Sequence, residues 1–388
     1  MPDCAICDEP ITPGNESGEH IILNAIGGRL KVPGCLCVSC NSSAGKSAGK
    51  TWDAELARQL NPLSLLFGIT RERGEPPAEN FPTIDGRLRR LHADGTSTPP
   101  HPTYEEKKTD AGIAIIATIR SMDEAPRMLA GIKRKYPQVD VDAIKKQLKV
   151  NTSYDTVPVR MELVVGGPVA GRSMVKSALC MAVHAGVDPK ICNLARAYLK
   201  GDESFPPFGF DYLTNVVPDR PDGKVFHCIA VAGNARSGLL IGYLEYFSFH
   251  RTVVLLSDQY GGPDIHQAYA VDPMNGEKLD LHFDLTLSRQ DIDAIFRYER
   301  IPETAMRDAF AKIMPIAMQR SLDHEKDRVI DMALQTALAD CGVEPSMEIT
   351  VDHVHELSHR VAEKMMPFLH HIGWDWRKAA AAQRRKRK

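Results

Sequence analysis

Cys4-Ala-Ile-Cys7 and Cys37-Val-Ser-Cys40 form two C-x-x-C pairs with residues 8–36 between them. Each pair can set two thiolates on one tetrahedral ion, and a closed set of four sulfurs leaves no position for a substrate. Cys4, Cys7, Cys37 and Cys40 therefore point to structural zinc. Clustered thiols hold metal rather than disulfides in a reducing compartment, so the expected location is cytoplasmic. Cys35 reads as a spare thiol beside the second pair. Cys180, Cys192, Cys228 and Cys341 lie in apolar sequence and read as small core residues.

The insert between the pairs carries Gly18-Glu19-His20-Ile21-Ile22-Leu23-Asn24-Ala25-Ile26-Gly27-Gly28, and Asn41 directly follows the last cysteine. This combination resembles the zinc-containing HNH endonucleases of the ββα-metal fold. They place an acidic residue before His, then an Ile/Val-rich strand, a Gly-Gly loop, and a C-x-x-C leading into a helix with Asn or His. The resemblance covers residues 1–55. It implies that Glu19 is the acidic metal ligand, His20 the general base and Asn41 the second metal ligand. Lys31-Val32-Pro33-Gly34 stands where many members have a middle Asn, and Asn24 is the substitute in reach.

The residue types suit that chemistry on their own. Phosphodiester hydrolysis needs a base to activate water and a cation to neutralise charge on the phosphate and the leaving oxygen. A neutral His20 accepts a proton near pH 7. Oxygen ligands from Glu19 and Asn41 suit a hard Mg²⁺ or Mn²⁺ rather than zinc. The expected protein is thus a DNA endonuclease, with a bacterial defence effector governed by its C-terminal region as the finer reading. A zinc-dependent DNA-binding or scaffold protein without catalysis is the alternative, in which Glu19 caps a turn and His20 packs.

These residues need a framework, and the 388-residue chain is long enough for two or three folded units. The expected class is α+β: a zinc-stapled ββα unit over 1–70, a proline-rich linker over 71–104, and an α+β region over 105–388 with a mainly antiparallel sheet and C-terminal helices. The prolines 76, 77, 82, 99, 100 and 102 mark the linker. A helical segment is expected from about Ala111 to Val150. The strand MELVV then leads through a glycine turn into a helix. Asn275-Gly276 marks a hairpin among short β-rich runs. No apolar run is long enough for a membrane span.

With 48 basic and 50 acidic residues, net charge −2, the chain lacks the basic excess of a dedicated nucleic-acid coat. Residues 1–60 are themselves acidic, so the grip on double-stranded DNA must be local. Lys46 and Lys50 are the candidates beside the site. Further basic residues occur at Lys133-Arg134-Lys135 and in the tail from Arg377 to Lys388. A second subunit would double the contacts, so a homo-oligomer is a further expectation.

Three other patterns compete. Ala44–Thr51 fits a permissive phosphate loop but follows no apolar strand. His355-Glu356-Leu357-Ser358-His359 has the spacing of a metalloprotease helix, without a third ligand at a suitable distance. Gly166–Gly171, followed by Arg172 and Lys176, reads mainly as a tight turn and secondarily as a site for a small phosphate-bearing ligand.

Overall fold

The computed structural model describes residues 2–43, 51–110, 112–147, 154, 157–202, 204–343, 347 and 350–373. Two units emerge, one of residues 1–78 and 162–321, the other of residues 79–161 and 322–388. This differs from the three-part division expected above. Residues 1–78 share one unit with the middle of the chain, because their apolar side chains pack into the same cluster as helix and sheet residues beyond 169.

In chain order, β1 (Glu16–His20) pairs antiparallel with β2 (Lys31–Cys37), and α1 (Val38–Ser43) follows at once. The helix α2 (Trp52–Leu66) starts at Thr51, whose hydroxyl accepts from the Ala54 N–H. Asp53 and Glu55 lie in its first turn, where carboxylates favour the helix dipole. The second unit then begins. Its strands β3 (Glu79–Pro82), β4 (Leu88–Leu91) and β5 (Ser97–Thr98) form a three-stranded sheet within the stretch expected as a linker. Next, β6 (Thr103–Thr109) and β7 (Gly112–Thr118) form a two-stranded ribbon, and α3 (Ala125–Lys135) and α4 (Val141–Gln147) follow. A helix was expected from Ala111, but the run Gly-Ile-Ala-Ile-Ile-Ala-Thr is rich in β-branched residues and pairs as a strand.

The chain returns to the first unit at α5 (Gly167–His184), then α6 (Asn193–Leu199). The MELVV segment forms no strand. Its Leu163 and Val165 pack against the core instead. Strands β8 (Phe208–Phe210), β9 (His227–Asn234), β10 (Leu239–Tyr246), β11 (His250–Ser257), β12 (Ile265–Val271) and β13 (Lys278–Leu279) build one antiparallel sheet in the order β13-β12-β9-β10-β11-β8. Helix α7 (Arg289–Phe296) follows. Of α8 (Ala305–Asp340), residues up to Ser321 belong to the first unit and the rest to the second, with α9 (Val351–His371). The fold is α+β, and the sheet is antiparallel throughout.

Both faces of the six-stranded sheet are covered. Ile229, Val231, Leu240, Leu244, Val254 and Leu256 face the cluster holding α5 and the N-terminal residues. The alternate positions Cys228, Ala230, Leu239, Ile241, Val253 and Leu255 face a second cluster with Phe283, Leu285 and α7. Helix α5 is buried from Ala170 to Ala182, as befits a helix enclosed on all sides. A Cβ at Gly242 would stand 2.8 Å from the Ala178 Cβ, so the missing side chain lets α5 lie close on β10.

The Gly-Gly loop after β1 is set by contact. A Cβ on Gly28 would lie 1.8 Å from the Ile22 carbonyl oxygen, and Gly27 takes a φ of +99°. The sheet anchors this loop through His227. Its Nδ1 accepts from the Phe247 N–H at 2.9 Å, which leaves Nε2 to donate to the Ile26 carbonyl at 2.7 Å. Burial lowers the pKa of both His227 and His250 to about 4. Unfolded histidines titrate near 6.5, so the unfolded chain binds more protons between these values. The stability from the two neutral rings is complete above pH 6.5 and is lost as pH falls toward 4. Each accounts for roughly 2 kcal/mol between pH 7 and 5. Urea midpoints should drop over that interval, and the drop should shrink in His227→Gln; an undiminished drop refutes the assignment.

Candidate functional site

Strand β2 ends at Cys37 and α1 begins at Val38, so the second cysteine pair straddles a strand-to-helix junction while the first pair lies in the turn before β1. The four sulfurs of Cys4, Cys7, Cys37 and Cys40 all lie within 4.8 Å of one another. Cys7 Sγ and Cys37 Sγ are 3.8 Å apart, and a tetrahedron with Zn–S bonds of about 2.3 Å has edges of about 3.8 Å. The donor set fits zinc. Burial opposes the Cys4 thiolate, but the N–H groups of Cys7, Cys37 and Ile6 bring its pKa down to about 7. Cys37 N donates to Cys4 Sγ, and Cys40 N to Cys37 Sγ, both at 3.4 Å.

Cys35 is not a spare thiol, nor Cys180 a simple core residue. The two form a disulfide with Cα atoms 5.7 Å apart. Here α5 packs against β2, and that contact brings together cysteines 145 residues apart in sequence.

Glu19 and His20 end β1, and Asn41 lies in α1. All three line one cavity of about 270 Å³, with Asn24 and Asp53. Glu19 is 3% exposed. Its Oε1 lies 2.7 Å from the Nζ of Lys176, a fully buried residue of α5. The same ammonium lies 2.5 Å from Asp53 Oδ2, and Ser173 Oγ donates to Asp53 Oδ1 at 2.6 Å. Burial raises the Glu19 pKa, against the pull of Lys176. Burial also disfavours the Lys176 ammonium, but Asp53 and then Glu19 outweigh it and raise its pKa.

Burial lowers the pKa of His20, Lys31 adds to this, and Glu72 opposes it. His20 Nε2 is 3.6 Å from Glu72 Oε2 and has no hydrogen-bond partner among the described residues. Glu72 is itself held at 2.7 Å by Lys31. Asn24 spends its Nδ2 on the Gly28 carbonyl at 3.2 Å, closing the glycine turn. Sequence reading missed Asp53, Glu72 and Lys176. Asp53 was legible only as a helix-start acid, and Lys176 only as part of an anion loop.

The Lys176 ammonium is committed to two carboxylates, which removes it from the phosphate site envisaged after Gly166–Gly171. Arg172 lies 4.9 Å from the Tyr198 ring centroid. Lys46, Lys50 and the basic tail lie outside the described residues. In α3, Lys135 pairs with Glu106 at 2.5 Å and Lys133 donates to the Val139 carbonyl at 2.8 Å. On α9, His355, Glu356 and His359 are exposed, and Glu356 pairs with Arg360. Among the described residues no helix is long and apolar enough to cross a membrane.

Residues 4–61 match the family model of the HNH endonucleases, so the N-terminal segment is an HNH domain. No curated protein and no solved structure matches the chain.

Proposed function

We propose that the chain is a metal-dependent endonuclease that hydrolyses phosphodiester bonds of DNA at the cavity shared by Glu19, His20 and Asn41. The observation that carries this reading is the meeting of these three side chains at one cavity, on the segment that matches the HNH endonucleases. His20 is kept neutral by burial and takes the proton of the attacking water. Glu19 and Asn41 offer the oxygen donors that suit Mg²⁺ or Mn²⁺. When bound, such an ion neutralises charge on the scissile phosphate and the leaving oxygen. Zinc on the four cysteines holds β2 and α1 so that Asn41 stays beside β1. Lys46 and Lys50 are proposed contacts to the DNA backbone. Control of the site by the C-terminal region, as in a defence effector, is the finer part of this proposal.

One observation favours the non-catalytic alternative. Glu19 Oε1 is already engaged by a lysine. Supercoiled plasmid with Mg²⁺ or Mn²⁺ separates the readings. Wild type should nick or cut, and His20→Ala and Glu19→Ala should each lose at least about 100-fold, the usual scale for a general base. Equal rates in wild type and His20→Ala would overturn the proposal, whereas DNA binding without cutting would favour the scaffold reading.

A further inference from the structure

We propose that Lys176 is a positioning residue of the cleavage site: from α5 it holds Glu19 and Asp53 in place, so the site is built from two distant parts of the chain. The inference rests on the nuclease reading above and goes beyond it, because the match to the HNH endonucleases ends at residue 61.

A lysine ammonium with no exposed surface is costly to bury, and it persists only with charged partners at close range. Here both partners, at 2.7 and 2.5 Å, line the cavity that also holds His20 and Asn41. Apolar residues of similar volume stabilise a core as well as or better than such a triad. Its value therefore lies in what it orients. Without Lys176, the buried Glu19 carboxylate and the half-buried Asp53 carboxylate, which keeps its Ser173 hydroxyl, would face one cavity without the ammonium between them, and a divalent cation would be drawn there rather than toward Asn41.

The helix that delivers the ammonium is tied to the N-terminal segment at three further points. Gln59 Oε1 accepts from the Gly166 N–H at 2.9 Å, while its Nε2 donates to the Gly166 carbonyl at 3.0 Å. Ser173 binds Asp53 one turn before Lys176. The Cys35–Cys180 disulfide lies one turn after it. Such bracketing holds the Nζ against movement along the helix axis, and small misplacements near a reacting centre cost about 100-fold in rate.

The test uses the full chain with its zinc retained and compares wild type, His20→Ala, Lys176→Met and the charge-balanced double variant Lys176→Met/Asp53→Asn. Mn²⁺ binding is followed by electron paramagnetic resonance without DNA, and plasmid cleavage at saturating Mn²⁺. Lys176→Met should keep its zinc, bind Mn²⁺ at least about tenfold more tightly, since a buried positive charge is gone, and cut at least about 100-fold more slowly. Tighter metal binding is a change that loss of packing alone does not produce. If the single variant fails to fold, the double variant carries the test, with Mn²⁺ binding at least as tight as wild type and the same loss of cutting. Cleavage by either folded variant within about threefold of wild type, or unchanged Mn²⁺ affinity in Lys176→Met, overturns the role of Lys176 while leaving the nuclease reading intact. Wild type that cuts no faster than His20→Ala, or takes up no Mn²⁺, overturns the nuclease reading and this inference with it.

Discussion

A fragment ending at residue 78 is expected to be inactive at every salt concentration, even with its zinc bound. Such a fragment keeps Cys4, Cys7, Cys37 and Cys40, whose sulfurs all lie within 4.8 Å of one another. It loses α5, and with it the buried partner of Glu19 and Asp53. It also exposes Ile22, Leu36, Leu60 and Phe67, which are buried in a cluster shared with Met174, Ala178 and Leu179. Stripping cover from residues of this size removes roughly 1.5–3 kcal/mol for each fully exposed side chain. The measurement is cleavage by the fragment and by the full chain across a salt series. If the rest of the chain served only as the grip on DNA, the deficit would be small at low salt and widen as salt rises. A deficit already complete at low salt is the expected result, and a fragment matching the full chain at any salt would refute it.

Removal of zinc is expected to disrupt the whole first unit rather than the N-terminal segment alone. Structural zinc sites in small peptides contribute about 10–16 kcal/mol of folding free energy, more than the total stability of most domains. An ion on the four cysteines would tie the turn before β1 to the junction of β2 and α1. Cys35 on β2 is bonded to α5, and α5 lies on the six-stranded sheet. Loss of the ion therefore loosens contacts on which the sheet face depends. Metal analysis of freshly purified protein should give one zinc per chain. A strong chelator, or Cys37→Ala, should lower the cooperative thermal transition of the unit containing residues 162–321 and abolish cleavage. Purified protein without zinc, or a variant whose transition is unmoved, would refute this.

The sequence by itself determined the features that depend on short spacings. Two residues between paired cysteines suffice to set both thiolates on one ion. Adjacent Glu19 and His20 at a strand end, a Gly-Gly turn and an Asn one residue past Cys40 together specify the ββα unit and its cavity side chains. The Gly-Gly loop was legible from the resemblance, and the structure supplies its reason, since only hydrogen fits at Gly28 beside the Ile22 carbonyl. The antiparallel sheet was legible from short apolar runs and the Asn275-Gly276 turn.

Only the tertiary structure decided what lies opposite those residues. Asp53 and Lys176 are 123 positions apart, and no local pattern pairs them. They meet because α5, largely apolar and buried from Ala170 to Ala182, packs against both the sheet and β2, carrying Lys176 with it. The same burial pairs Cys35 with Cys180, while Lys31 holds Glu72 beside His20. In Gly112–Thr118, β-branched side chains outweighed the helical spacing read from the flanking sequence. Local chemistry follows from neighbours along the chain, whereas the charge that balances a buried carboxylate follows from which surfaces must leave water together.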